Sequence, residues 1–241
     1  MIKKEPIGEG IEIYVSDNHC FGTDAILLSN FAAPRKTDKA CDLGTGCGII
    51  PLLWCRTDAP KTAVGVDIQP EACELAQKTI DENRLNEKFS VICSDLLKLK
   101  GKVEFGSFQL VTCNPPYKAP GAGIASRGSA DLIARHETAC TLEDIIAVSA
   151  KLLQTSGRLC MCNRPERLAD MMALMRKHKL EPKRMRLVCQ RLGTEPWLVL
   201  LEGRRCGNSG LRIMPPLYIE EGENFSKEML EIYGSYKENR G

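Results

Sequence analysis

Phe108-Gln109-Leu110-Val111-Thr112-Cys113-Asn114-Pro115-Pro116-Tyr117 is the stretch from which the rest of this 241-residue chain is best read. Its first six residues form an apolar run bounded by turn residues, the pattern of a short buried strand. The two prolines stop that strand. Neither has an N–H to donate, each fixes its own φ, and each restricts the residue before it. An Asn side chain and an aromatic ring are thereby left at a strand's carboxyl end, the edge where open α/β sheets bind ligands. Asn-Pro also makes ordinary turns, so the weight of this reading comes from upstream.

Upstream, Lys39-Ala40-Cys41-Asp42-Leu43-Gly44-Thr45-Gly46-Cys47-Gly48 reads as a strand running into a glycine turn, with a helix from Ile49 to Arg56. The glycines let the backbone turn sharply and approach a ligand without Cβ interference. Ile49 stands where the third glycine of G-x-G-x-x-G would fall, which argues against a nicotinamide cofactor. A second strand, Thr62 to Asp67, ends in an acid suited to a ribose diol. Gln69 and Pro70 then open a helix that ends near Asn83. A third strand, Phe89 to Cys93, runs into Ser94-Asp95-Leu96. Each of Asp42, Asp67 and Asp95 alone reads as a cap or a turn residue. Three acids at successive strand ends, followed by Asn114 at the fourth, are harder to attribute to turns.

Before this core, Ile11, Ile13 and Val15 alternate as in a strand, and Thr23 or Asp24 can cap a helix with Ile26, Leu27 and Phe31 inward. After it comes a Gly- and Ser-rich connection over 118–140, in which Lys118, Arg127, Arg135 and His136 are placed to meet phosphate or ribose. A helix capped by Thr141 follows, then a strand over 157–162 and a helix over 165–179 with a Met stripe of the kind found in cores. Residues 183–190 and 197–202 read as an antiparallel strand pair, 203–212 as a surface loop, and the stretch from Pro215 as a docked tail.

Composition is that of an ordinary globular protein, 43% hydrophobic and 27% charged. No leader pattern and no membrane-length apolar run is visible, so a cytoplasmic protein is expected. The 12 cysteines contain no C-x-x-C pair and only 3 histidines accompany them, so no metal is expected. Cys41, Cys93, Cys113, Cys160, Cys162 and Cys189 sit in apolar runs and read as reduced core thiols. Residues 151–215 carry 14 Lys/Arg against 5 Asp/Glu, an excess of 9 that matches either a polyanion footprint or a solvated helix face.

Residues 22–117 resemble the class I S-adenosylmethionine-dependent methyltransferases. The resemblance implies an α/β, Rossmann-like fold with a seven-stranded mixed sheet and helices on both faces. It implies one domain, with an extension over 1–38, a catalytic core over 39–202 and a tail over 203–241. By the same resemblance Asp42, Gly44, Thr45, Gly46 and Gly48 hold the methionine and ribose part of S-adenosylmethionine. Asp67 takes the ribose hydroxyls, Ile68 lies against the adenine, and Asp95 with Leu96 borders its amino group. Asn114, Pro115, Pro116 and Tyr117 resemble the catalytic motif of amino-group methyltransferases, with Asn114 also touching the cofactor. In that chemistry the Asn114 side-chain oxygen and the Pro115 carbonyl accept both N–H bonds of a conjugated amine, and Tyr117 stacks on the base.

Gly22-Thr23-Asp24-Ala25-Ile26-Leu27-Leu28, Ala134-Arg135-His136-Glu137 and Met214-Pro215-Pro216-Leu217-Tyr218, together with the Asn-Pro-Pro-Tyr motif, are similar to the bacterial tRNA-Val adenine N6-methyltransferase family. That likeness implies a tRNA substrate, methylation of the adenine 3′ to the anticodon, and Thr23 and Asp24 at the pocket mouth. From the sequence itself no membrane association and no obligate protein partner are expected. Tyr117, Lys118, Arg127, Arg135 and His136 are its candidate substrate contacts. Glutamine methyltransferases of release factors share the motif but place a helical domain ahead of the glycine turn, where only about 40 residues precede Asp42 here. Guanine N2-methyltransferases of ribosomal RNA are usually longer and end the motif in Phe. A non-catalytic binding module would not need Asn114 and Tyr117 intact.

Overall fold

The computed structural model describes residues 1–115 and 140–234. A hairpin, β1 (Ile2–Gly8) and β2 (Ile11–Ser16), leads into α1 (Thr23–Ala32), β3 (Lys39–Leu43), α2 (Ile49–Cys55), β4 (Thr62–Asp67), α3 (Pro70–Glu82), β5 (Phe89–Cys93) and β6 (Phe108–Cys113). After residue 140 come α4 (Leu142–Leu152), β7 (Leu153–Asn163), α5 (Leu168–Lys177), β8 (Leu180–Cys189) and β9 (Pro196–Arg205). Two-residue strands β10 (Arg212–Ile213) and β11 (Leu217–Tyr218) and the helix α6 (Lys227–Tyr233) close the chain.

The seven long strands of the main sheet lie in the order β8-β9-β7-β6-β3-β4-β5. β9 runs antiparallel to both neighbours, and the rest are parallel. The sheet is therefore mixed, as expected. β10 and β11 both pair with β8 and bring the strand count to nine. Two residues in a Gly- and Pro-broken stretch carry no alternation, so these strands leave no trace in the sequence pattern.

The sheet is buried on both faces, and its strands divide between two cores with a period of two. Ala40, Leu110, Cys160, Cys162 and Leu200 face α1, α2, α3, α6 and the hairpin. Cys41, Leu43, Val111, Leu159 and Met161 face α4 and α5. α3 begins with Pro70 at its first turn and buries Ala72, Leu75, Ala76, Thr79 and Ile80, one helical stripe. It also covers an edge of the hairpin: Asn83 Oδ1 accepts from Glu12 N at 3.0 Å, and Thr79 Oγ1 accepts from Tyr14 N at 3.0 Å. Thr141 and Asp144 form a capping box on α4. Met171 and Met175 of α5 are fully buried core residues. Among the described residues no helix is long and apolar enough to cross a membrane.

Two local expectations need revision. Gly22, not Thr23 or Asp24, holds the N-cap position of α1, and Asp24 inside the first turn accepts from Ala25 N at 2.9 Å. The Thr23 hydroxyl instead lies 3.2 Å from Tyr233 Oη, which docks the tail on α1. Cys93 is exposed, because β5 is the edge strand; the other five strand cysteines are buried. All twelve cysteines are free thiols.

The sheet also shapes the glycine turn. A Cβ at Gly65 of β4 would stand 2.8 Å from Thr45 Cγ2 and 2.9 Å from its Oγ1. Gly65→Ala is therefore expected to push the turn off the sheet, costing about 1–3 kcal/mol in urea denaturation. Thr45→Ala in the same chain should recover most of that loss. Equal losses in the single and double variants would show that the contact does not act.

Candidate active site

Four strands deliver their carboxyl ends to one crevice. α2, which follows β3, packs in the first core, and α4, the next described helix after β6, packs in the second. β3 and β6 are neighbours in the sheet, so the crevice opens where the connections part, the topological switch point. The cavity there has a volume of about 390 Å³. Gly44 and Gly46 line it after β3, Asp67 and Ile68 after β4, Asp95 and Leu96 after β5, and Asn114 and Pro115 after β6. Asp24 reaches it from the first turn of α1.

The turn after β3 is built on the end of β4. Val66 O accepts from Gly44 N at 2.8 Å and from Thr45 N at 3.0 Å. Asp67 Oδ2 accepts from Gly46 N at 2.8 Å, and its Oδ1 accepts from Gln69 N at 2.9 Å. Gly44 and Gly46 have φ of +71° and +55°, the left-handed region that favours glycine. A carboxylate has about four lone-pair sites, so Asp67 keeps acceptor capacity for a diol after making these two bonds. Asp95 Oδ1 accepts from Leu97 N at 2.9 Å, which fixes the turn carrying Leu96. Ile68 is 41% exposed, an aliphatic surface beside Asp67 for a planar ring.

Asp42, Thr45 and Gly48 are not on the wall. Asp42 is 1% exposed beneath the turn, and its Oδ1 accepts from Thr112 Oγ1 of β6 at 2.6 Å. Burial pushes the Asp42 carboxyl up to about 7, against the pull of Thr112 and of the nearby Thr45 hydroxyl. Among the described residues no hydrogen-bond partner meets the buried Thr45 Oγ1 or Asp42 Oδ2. Thr23 is turned to Tyr233 rather than to the cavity. Pro116, Tyr117, Lys118, Arg127, Arg135 and His136 lie outside the described residues. Leu43, Gln69, Cys113, Cys20, Cys140 and Ile145 complete the wall without standing out as candidates in the sequence. The first three adjoin candidate residues at strand ends. The last three carry no sequence signal.

The lining has a sign. Among the described residues it holds three carboxylates, Asp24, Asp67 and Asp95, and no Lys or Arg. Such a wall opposes a pyrophosphate and favours a cation. A glycine turn that lets a ligand approach the backbone, a diol-binding acid, an aliphatic ring platform and this negative wall fit S-adenosylmethionine, which joins a nucleoside to a sulfonium and an amino-acid end.

Part of the basic excess of 151–215 is spent on bridges within the fold. Arg158 pairs with Asp38 at 3.3 Å, Lys177 with Glu143 at 2.6 Å, Arg186 with Glu228 at 2.5 Å and Arg191 with Glu220 at 2.5 Å. Those four acids lie outside the segment. Arg184 pairs with Glu202 at 2.8 Å, and Arg176 with Glu181 at 2.7 Å. A count along the chain is blind to this pairing and overstates the charge left for a polyanion partner.

Fold and cavity together define a class I methyltransferase, with S-adenosylmethionine as its methyl donor. The "Methyltransferase small domain" family matches residues 12–180, and the chain belongs to that family. Among relatives, a Yersinia enterocolitica protein named "tRNA1(Val) (adenine(37)-N6)-methyltransferase" is 27% identical over 169 residues, 66% of this chain and 66% of its own length. A Porphyromonas gingivalis protein of the same name is 28% identical over 189 residues, covering 76% and 73%. Of solved structures, an Agrobacterium tumefaciens protein described as a predicted O-methyltransferase superposes with a TM-score of 0.69 at 18% identity, over 89% of this chain and 97% of its own. A Streptomyces coelicolor geranyl diphosphate C-methyltransferase gives 0.55 at 12% identity, over 75% and 76%. At these identities the structural likeness is one of fold.

Two outcomes are expected from the geometry. An aspartate carboxyl ordinarily titrates at 3.8, whereas Asp42 titrates at about 7 in the folded chain, so folding takes up a proton between these values. Stability from this group is complete below about 4 and falls as pH rises through 7. Asp42→Asn keeps an acceptor for Thr112 and buries no charge. It should flatten that fall and stabilise the protein at pH 8, with an upper bound of about 4 kcal/mol. Urea denaturation at pH 5 and pH 8 measures it, and an unchanged slope would exclude Asp42 as the source. Asp67→Ala removes the acceptor of Gly46 N as well as the diol contact. It should weaken S-adenosylmethionine binding by about 10- to 100-fold in calorimetry, whereas unaltered affinity would remove Asp67 from the ribose role.

Proposed function

We propose that the chain transfers a methyl group from S-adenosylmethionine to the exocyclic N6 amine of an adenine in tRNA, adenine 37 of a valine tRNA. The observation that carries this reading is that Asn114 and Pro115 line the same cavity as Gly44, Gly46 and Asp67. The names of the Yersinia and Porphyromonas relatives support the choice of adenine and of tRNA.

An exocyclic amine is a poor nucleophile because its lone pair is delocalised into the ring. Acceptors on both of its hydrogens localise that pair, and the Asn114 side-chain oxygen with the Pro115 carbonyl provides two acceptors on adjacent residues. When bound, S-adenosylmethionine supplies a methyl group on a sulfonium, an electrophile whose leaving group needs no acid. The residues therefore act mainly by alignment. Tyr117 supplies a stacking face for a base drawn out of its neighbours, a contact worth about 1–3 kcal/mol.

The test is methyl transfer from labelled S-adenosylmethionine to unmodified tRNA, with a release factor as parallel substrate and mass analysis of the digested nucleosides. N6-methyladenosine from tRNA alone is expected. Label in the protein would move the substrate to a glutamine side chain and overturn the tRNA reading. Asn114→Ala should lower turnover by about 10²–10³-fold while leaving cofactor affinity nearly intact. Unchanged turnover would sink the amine-alignment role.

A further inference from the structure

The proposed reaction needs a particular end of the Asn114 amide to face the amine, and the two ends are nearly the same size. β6 and β7 run parallel with Cys113 opposite Met161, so Asn114 lies level with Cys162. Cys162 is fully buried, and its Sγ donates to Asn114 Oδ1 at 3.1 Å. From the other side, Asp24 Oδ2 accepts from Asn114 Nδ2 at 3.1 Å. An ionised carboxylate only accepts, and a thiol facing a carbonyl oxygen donates. The two partners therefore tell the ends of the amide apart. Rotating it by half a turn would set oxygen against carboxylate and N–H against thiol.

Asp24 is itself held for this contact. Its Oδ1 accepts from Ala25 N at 2.9 Å, and a Cβ at Gly22 would stand 2.5 Å from that oxygen. Gly22 leaves the space that the carboxylate occupies.

We infer that Cys162 is a positioning residue for methyl transfer: with Asp24 opposite, its thiol keeps Asn114 Oδ1, not Nδ2, in the role of acceptor toward the amine. This rests on the amine-methylation reading given above. A flipped amide would present N–H to N–H and repel the nucleophile it should orient. A carbonyl oxygen has two acceptor directions, and a thiol is a weak donor. It fixes the direction of the oxygen while drawing little on its acceptor strength. A buried Cys that only filled space would be indifferent to whether its replacement could donate, and that difference is testable.

The full-length protein is assayed as wild type, Cys162→Ser, Cys162→Ala and Cys162→Val with tRNA and S-adenosylmethionine. Ala and Val lack a donor, and Val keeps the volume filled. Both should lower kcat by about 10-fold with the KM for S-adenosylmethionine unchanged, and Ser should stay within about 3-fold of wild type. Wild-type kcat in Val, or a loss in Ser equal to that in Ala, would overturn the inference. The side-chain amide resonances of Asn114, assigned by their loss in Asn114→Asp, give a readout independent of turnover. One sharp pair is expected in wild type and Ser, and a doubled or broadened pair in Ala and Val. Identical spectra in all four would also overturn it. Should wild type form no N6-methyladenosine, the functional reading fails, while these spectra still decide whether Cys162 orients the amide.

Discussion

The carboxylate of Asp67 ties the glycine turn to the first turn of α3, and the rest of the site depends on that junction. Its two oxygens accept from Gly46 N and Gln69 N, while the preceding carbonyl of Val66 accepts from Gly44 N and Thr45 N. The end of β4 is therefore the mould on which the loop after β3 is cast. Buried N–H groups need partners, and here one strand end supplies four acceptor contacts to its neighbour's loop and its own helix. The position of β6 is tied in from below, by the 2.6 Å bond from Thr112 to Asp42. The turn and the Asn114 strand end are thus fixed relative to each other through a buried contact, not through the ligand.

Strands β4, β5 and β6 are legible in the sequence to the residue because each is a short, mostly apolar run between charged or turn residues. For β7 the pattern marks only 157–162, but the strand spans Leu153–Asn163, since Gln154, Thr155 and Ser156 carry no apolar alternation. β8 starts before 183 and β9 ends after 202, because Leu180, Glu181 and Pro182 continue the antiparallel ladder with Arg205, Arg204 and Gly203. The candidate cofactor residues follow from strand ends and glycine spacing, and most lie on one wall. Asp42 shows the limit of that logic: an acid near a strand end can point under the loop as readily as into the cavity. Asp24 lies inside the first turn of α1, not at its cap, and its two oxygens serve Ala25 N and, across the crevice, Asn114 Nδ2. Cys162 cannot be distinguished from Cys160 by sequence, since both sit at alternate positions of one apolar strand and only the register with β6 separates them.

Charge sets a further constraint on how the proposed substrate enters. Three carboxylates line the cavity, and no basic side chain among the described residues offsets them there. A phosphodiester brought into the crevice would meet like charge at short range, where screening by salt is weakest. A neutral base meets no such penalty, so the geometry favours a nucleotide whose base is drawn in while its backbone stays outside. The same wall acts on the methyl donor. A sulfonium is held by nearby carboxylates and the thioether left after methyl transfer is not, so the attraction that helps loading weakens once the methyl group has gone. Negative charge there opposes a phosphodiester and favours the charged donor over the spent one. Seven of the 14 basic residues of 151–215 are held in ion pairs elsewhere in the fold, and none of the 14 lines this cavity.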